Sequence, residues 1–271
     1  MSSSFMEIVS KIKHKQISDL VQRGTRFDGR GLTDYRNFEI IIGPIKKAEG
    51  SAQVNLGNTK VLVGVKLDMG EPFPDTPEEG VMTVNAELLP LASPSFEPGP
   101  PDENSIELAR VVDRGLRESK VVDTKKLCII PGKKVFVIFV DIYILDHDGN
   151  LFDASAMASL AAILSTKMPN YEVVDGEVKF KEGFQPLPIK NYPIAVTLAK
   201  IAGDLIVDPI LEEETVMDCR LTVTTKQGGD VCAMQKGGEG VFTTEEILKA
   251  VKMSQEKGEE LRTRVLGVVN G

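Results

Sequence analysis

The chain has 271 residues, with 32 Lys and Arg against 40 Asp and Glu, a formal net charge of −8, and 42% of its residues are hydrophobic. That balance leaves room for one large core or two small ones and excludes a disordered chain, collagen and a coiled coil. Net acidity also speaks against a solitary nucleic-acid binder, because phosphates are repelled by an acidic surface beyond the reach of any local basic patch.

The longest apolar run, Val135 to Leu145, is broken by Asp141 and falls far short of the roughly 20 residues a spanning helix needs. The sequence therefore predicts no membrane segment. Cys128, Cys219 and Cys232 form an odd, scattered set. That pattern suits reduced core thiols in a cytoplasmic protein better than a disulfide frame or a zinc site. The two histidines, His14 and His147, are too few and too far apart for a metal cluster or a Ser-His-Asp triad and read as solvated.

In chain order, Ile8, Val9, Ile12, Ile17 and Leu20 interleaved with Lys11, Lys13 and Lys15 predict an N-terminal helix rather than a signal peptide. A charged, Gly-rich loop follows over 23–36. Phe38 to Ile42, Ala52 to Leu56 and Val61 to Val63 read as strands of a meander, with Gly57-Asn58-Thr59 as a tight hairpin turn. Met82 to Leu91 continues the sheet, and the prolines between Ser93 and Pro101 demand a loop.

The next helix is the best marked. Asn104 with Glu107 resembles a capping box, and the run reaches about Ser119. At helical spacing Leu108, Val112 and Leu116 share one face, and Arg110, Arg114 and Arg117 share the other. Lys133 to Leu145 suits a strand buried on both faces, and Asp153 to Lys167 is an Ala-rich helix.

A charged stretch then leads to a second module of similar grammar. Ile194 to Ile201, Leu205 to Val207, Cys219 to Thr225 and Val231 to Gln235 read as strands, with Gly228-Gly229 as a turn. Thr243 with Glu246 caps a long amphipathic C-terminal helix. Sheet then helices, twice over, predicts an α+β fold of two tandem lobes rather than a doubly wound nucleotide fold. The expected division is an N-terminal helix and loop over 1–30, a first lobe over 31–168, a linker over 169–190 and a second lobe over 191–266.

Three constellations carry candidate chemistry. Arg110, Arg114 and Arg117 could follow a nucleic-acid backbone, since a guanidinium fork matches phosphate oxygens. By spacing alone a solvated face outweighs that reading, because Glu107, Asp113 and Glu118 lie close enough to pair with them. The acidic group Asp208, Glu212, Glu213, Glu214 and Asp218 could hold a divalent metal or a general acid, or be a charged loop. The turn Asp146-His147-Asp148-Gly149-Asn150 opens a helix, where an anion would be welcome. The Leu151, Phe152 and Asp153 that follow line it with apolar and negative groups. Gly237-Gly238-Glu239-Gly240 reads as a turn.

Arg26-Phe27-Asp28-Gly29-Arg30, the run from Glu107 to Arg117 and the run from Asp146 to Ala154 resemble, in the same order, the RNase PH family of phosphorolytic exoribonucleases. The likeness covers about residues 24 to 260. With Glu97 to Asn104 before the arginine helix, it is nearest to the non-catalytic RNase PH-like ring subunit of the archaeal exosome. The resemblance implies an RNase PH-like fold and single-stranded RNA degraded from its 3′ end with phosphate as nucleophile. The expected partners are a catalytic RNase PH-like paralogue in a hexameric ring of three heterodimers, and a trimeric cap of RNA-binding subunits.

Active relatives carry Gly-Ser/Thr-Arg where this chain has Asn150, Leu151 and Phe152, so the seat for attacking phosphate is missing. Losing one preorganised charge partner typically costs about 3 to 4 kcal/mol of transition-state stabilisation. The resemblance therefore implies no catalytic residues, no cofactor and no metal, although Asp218 lies near the family's acidic position. It also implies that Arg110 and Arg114 hold RNA phosphates, with Arg117 on the same stripe. Two rival readings stay open: an exoribonuclease active on its own through Asp218, and a homo-oligomeric module with no RNA role.

Overall fold

The computed structural model describes the backbone of residues 3–270 and the side chains of residues 13–269. The side chains of Ile8, Val9, Lys11 and Ile12, used above to predict the first helix, lie outside the described residues. That helix, α1 (Ser3–Gln22), docks on the second sheet through Ile17 and Val21, which are buried with Ala199, Ile201 and Ile206. Among the described residues no helix is long and apolar enough to cross a membrane.

The first sheet is built from β1 (Phe38–Ile42), β2 (Gly50–Leu56), β3 (Thr59–Gly70), β4 (Val81–Leu88), β5 (Cys128–Ile130) and β6 (Lys134–Asp146). Its order is β1-β2-β3-β6-β4, with β5 on β6. The first three strands form the expected antiparallel meander, and β4 pairs parallel to β6. Along β6 burial alternates: Phe136, Ile138, Val140, Ile142 and Ile144 are buried while Val137, Phe139, Asp141 and Tyr143 are only half-buried. The strand is thus covered fully on one face, not on both as its composition predicts. A continuous β-branched run hides the alternation that a single Asp141 betrays.

Two helices follow this sheet, α2 (Glu103–Glu118) and α3 (Leu151–Ser165). The cap of α2 is Asp102, not Asn104: the Ser105 N–H donates to Asp102 Oδ1 at 2.8 Å. Pro100 and Pro101 fix the extended entry, so the first residue free to cap is Asp102. Likewise α3 begins at Leu151, two residues earlier than expected, on an Asn150 cap in the left-handed region (φ 51°).

The second sheet contains β9 (Ile194–Ile201), β10 (Asp204–Val207), β11 (Cys219–Thr225) and β12 (Val231–Gly237) in the order β10-β9-β11-β12. A single turn, α4 (Leu211–Glu214), precedes β11, and α5 (Thr244–Asn270) closes the chain. The α5 capping box forms as read: Thr243 N–H donates to Glu246 Oε2 at 2.7 Å and Glu246 N–H to Thr243 Oγ1 at 3.2 Å.

The helix α3 packs on β2 and β3 with one side and on β9 with another, so it belongs to both lobes. One apolar cluster runs from Val54 and Ile138 through Leu160 to Leu198, Val223 and Leu261. Close sheet approach explains the alanines of α3, and Gly50 shows how close it is. A Cβ there would lie 2.5 Å from the Ala162 carbonyl oxygen and would collide with Thr166 Oγ1.

The stretch read as a linker over 169–190 is largely a two-stranded antiparallel hairpin, β7 (Lys167–Val174) and β8 (Glu177–Pro186). Asp175 and Gly176 turn it with φ 55° and 79°, the backbone that an Asp-Gly two-residue loop favours. Tyr171 anchors the hairpin edge-on against Phe136, with ring centroids 5.4 Å apart. Its charged surface, including a Lys181–Glu172 pair at 2.6 Å, is what gave the segment a linker-like composition.

Candidate functional site

The predicted arginine stripe lies on the exposed side of α2, opposite buried Leu108, Val112 and Leu116. Its members differ. Among the described residues Arg110 makes no ion pair and no side-chain hydrogen bond. Arg114 pairs with Glu118 at 3.4 Å while both stay largely exposed, an arrangement worth little in water. Arg117 is more tightly held, donating to Asp113 at 2.8 Å and to the Met82 carbonyl at 3.1 Å. Glu107 does not reach back to the stripe at all; it takes Arg220 of β11 at 2.5 Å.

The acidic group separates into parts with different work. Asp208 and Glu213 are buried and neutralised by the N-terminal loop. Arg26 donates to both Glu213 oxygens, at 2.9 and 2.5 Å, and to the carbonyls of Val207 and Asp208, each at 2.7 Å. Arg36 forks onto Asp208 at 2.9 and 2.7 Å, and Arg30 reaches the same carboxylate at 2.9 Å. Burial acts to raise the Asp208 carboxyl, but the Arg36 hydrogen bonds and charge, with Asn150, outweigh it and hold it below the usual range. The Arg26-to-Arg30 motif is thus a clamp between the N-terminal loop and the second lobe. Asp218 is exposed at the foot of β11, where its carbonyl accepts Gly240 N–H at 2.8 Å.

The turn before α3 is locked by the same network. Gly149 sits at φ 82°, and a Cβ there would come within 2.5 Å of the Ile210 carbonyl carbon and the Leu211 nitrogen. Asn150 Nδ2 donates to Asp153 and to Asp208, both at 2.8 Å. Asp153 also accepts from the Tyr35 hydroxyl at 2.7 Å and from Thr197 N–H and Oγ1 at 3.0 and 2.8 Å. Burial raises its carboxyl to about 6 despite those bonds.

The decisive contact is at the backbone. Asn150 N–H, at the start of α3, donates to Glu214 Oε1 at 2.8 Å. A helix N-terminus is where an anion binds, and here the chain's own carboxylate has taken the position. Burial lifts the Glu214 carboxyl to about 7, against the opposing pull of Asn150, Arg220 and Arg36.

Glu214 opens into a cleft of about 310 Å³ walled by Phe96, His147, Leu151, Phe152, Glu107 and Arg220. His147 is half-buried and stacked on Phe96 with centroids 5.3 Å apart, not solvated as expected, and burial lowers its pKa. The Arg220 guanidinium covers the Phe152 ring at 4.7 Å. Met217 lines this cleft, whereas the candidate acid Asp218 does not. Sequence reading missed Glu214, Arg220 and Phe96 as cleft residues. Only the Glu214 carboxylate gave a signal, within an acidic run whose members could not be told apart.

One mixed and one antiparallel sheet, a helix shared between them and a carboxylate-capped turn at its head define a two-lobed RNase PH-type protein. Models of the 3′ exoribonuclease family match domain 1 over residues 34–169 and domain 2 over residues 191–257, and the chain belongs to that family. It is 55% identical over 268 residues to the exosome complex component Rrp42 of Thermococcus kodakarensis, covering 98% of each chain. To the protein of the same name from Methanothermobacter thermautotrophicus it is 52% identical over 257 residues, 94% of this chain and 95% of that one. Among solved structures, a chain of the Archaeoglobus fulgidus exosome with RNA bound to the active site superposes with a TM-score of 0.88. The two are 49% identical, over 95% of this chain and 99% of that chain. A chain of an archaeal exosome core gives 0.84 at 43% identity, over 96% of this chain and 98% of that one.

Proposed function

We propose that this chain is a structural subunit of an exosome, without catalytic activity of its own, in a 3′-to-5′ RNA-degrading ring. Phosphorolysis needs inorganic phosphate seated beside the scissile bond. The observation that carries the reading is the Glu214 carboxylate on Asn150 N–H, with Leu151 and Phe152 beside it. A dianion brought there meets a second carboxylate, Glu107, and a guanidinium already paired with that carboxylate. Like charges repel strongly in a partly dry site. The relatives at 55% and 52% identity, each bearing the name of an exosome component, support the same reading.

In this reading the chain alternates with a catalytic RNase PH-like paralogue in a ring of three heterodimers, beneath a trimeric RNA-binding cap, in the cytoplasm. Arg110 and Arg114 hold phosphates of single-stranded RNA on its way to the paralogue's active site. They stand about 6 Å apart along the helix axis and give up little to turn toward RNA. Arg117, tied to Met82 and Asp113, sets the far end of the stripe.

The test is phosphorolysis of a labelled RNA by the chain alone, by the paralogue alone and by the mixture. Nucleoside diphosphates are expected from the mixture and none from this chain. Release by this chain alone would instead support a self-sufficient exoribonuclease.

A further inference from the structure

The cleft at the head of α3 has lost the means to hold phosphate, yet about 310 Å³ of space with aromatic walls remains. Phe96 and His147 stack on one side, and Phe152 under Arg220 forms another wall. Beside the donors of Arg220 and His147, two carboxyl acceptors are left over. Glu214 Oε1 is used by Asn150 and Glu107 Oε2 by Arg220, which leaves the second oxygen of each carboxyl without a partner among the described residues. Flat aromatic and guanidinium surfaces stack on any base, while a carboxylate acceptor favours bases that offer an amino group over uracil, whose one N3–H lies between two carbonyl oxygens that the carboxylate repels.

The position of the cleft supplies the rest. Glu107 lies in its wall, and Arg110 and Arg114 follow it along the same side of α2 at one and two turns' distance. A strand whose phosphates rest on those arginines has its next nucleotide at the mouth of the cleft. We infer that the cleft is a nucleobase subsite: it takes one base of the RNA held by the stripe and favours adenine, guanine or cytosine over uracil. The inference rests on the RNA-holding reading of the stripe.

A nucleoside carries no phosphate and reads the cleft alone, so the test uses adenosine, guanosine, cytidine, uridine and inorganic phosphate, each titrated calorimetrically at pH 8. Both the full chain and the mixed complex are titrated. Saturable binding of the three amino-bearing nucleosides is expected in both, with uridine weaker by about fivefold and no heat from phosphate. Phe152→Ala should weaken nucleosides by about fivefold or more through the missing stacking surface. Glu214→Gln turns an amide donor toward the cleft and should shift preference toward uridine, a change that a purely structural role would not produce. Absence of nucleoside binding, equal affinity for uridine, or binding that disappears in the mixed complex would overturn the subsite. Retention of an RNA oligonucleotide by the mixed complex, with and without Arg110 and Arg114, reads the stripe separately, so failure of either idea is seen on its own.

Discussion

Glu214 Oε1 accepts the backbone N–H of Asn150 at 2.8 Å, so the helix terminus that would greet an incoming anion is already occupied from within. The carboxyl is held with a pKa of about 7, against an ordinary 4.5, chiefly by burial. The folded protein therefore binds a proton more readily than the unfolded chain between those values. Stability from this group is greatest below about 4.5 and declines as pH rises to about 7, then stays level. Asp153, raised to about 6 from 3.8, acts in the same sense over a lower window. Glu214→Gln should remove the decline between about 6 and 7 and lessen it between about 4.5 and 6, where Asp153 still titrates. Denaturant unfolding at pH 5, 6 and 8 measures it; an unaltered slope between pH 6 and 8 would show that Glu214 is not the titrating group.

Arg110→Ala with Arg114→Ala should weaken RNA retention by the mixed complex while leaving the ring assembled, since both side chains project from the exposed side of α2. Each single-strand phosphate that a cation no longer neutralises reduces the slope of log affinity against log salt by about 0.7, so the pair predicts a slope shallower by about 1.4. Filter binding at a series of salt concentrations checks this, and an unchanged slope returns the stripe to mere surface charge.

Arg26→Met leaves Glu213 buried with no cation, and removing one partner of a buried ion pair costs about 3 to 5 kcal/mol. The double variant Arg26→Met with Glu213→Leu should recover part of that loss, because it removes the stranded charge while the carbonyls of Val207 and Asp208 still lack their donor. Midpoints of urea unfolding for the single and double variants decide whether the pair, rather than side-chain packing, sets the effect.

Gly149→Ala combines a left-handed backbone with a Cβ 2.5 Å from the Ile210 carbonyl carbon and should destabilise by about 2 kcal/mol or more. Gly132→Ala provides the contrast, because φ is 71° but nothing lies within 4 Å of the added carbon; its cost should stay near 1 kcal/mol. Equal melting temperatures for the two variants would mean that the approach of the turn to α4 is not close.

Elements with a strong local signature are legible in the sequence alone. Strands β1, β9 and β11 and the Thr243–Glu246 cap lie where the sequence puts them, because their apolar patterns and capping residues act over a few positions. The β7–β8 hairpin reads as a linker although Asp175-Gly176 announces its turn, since charged exposed strands lack the alternation that marks a half-buried sheet. The arginine stripe is visible as a helix face, but its pairing is not. Glu107 is expected to be one of its counter-charges, and Arg220, 113 positions away in sequence, has claimed it.

From the chain alone come the two sheet-and-helix modules, the arginine face of α2 and the apolar pair Leu151 and Phe152 after the Asp146-to-Asn150 turn. Each of these is set by residue type and by spacing within a few turns of chain. Folding alone sorted the acidic run. It separated Asp208 and Glu213, which the arginines of the N-terminal loop neutralise, from Glu214, which caps α3, and from Asp218, which stays outside the cleft. A carboxylate's role depends on the charge, solvent and backbone dipoles around it, and folding brings those together from segments that lie far apart in the chain.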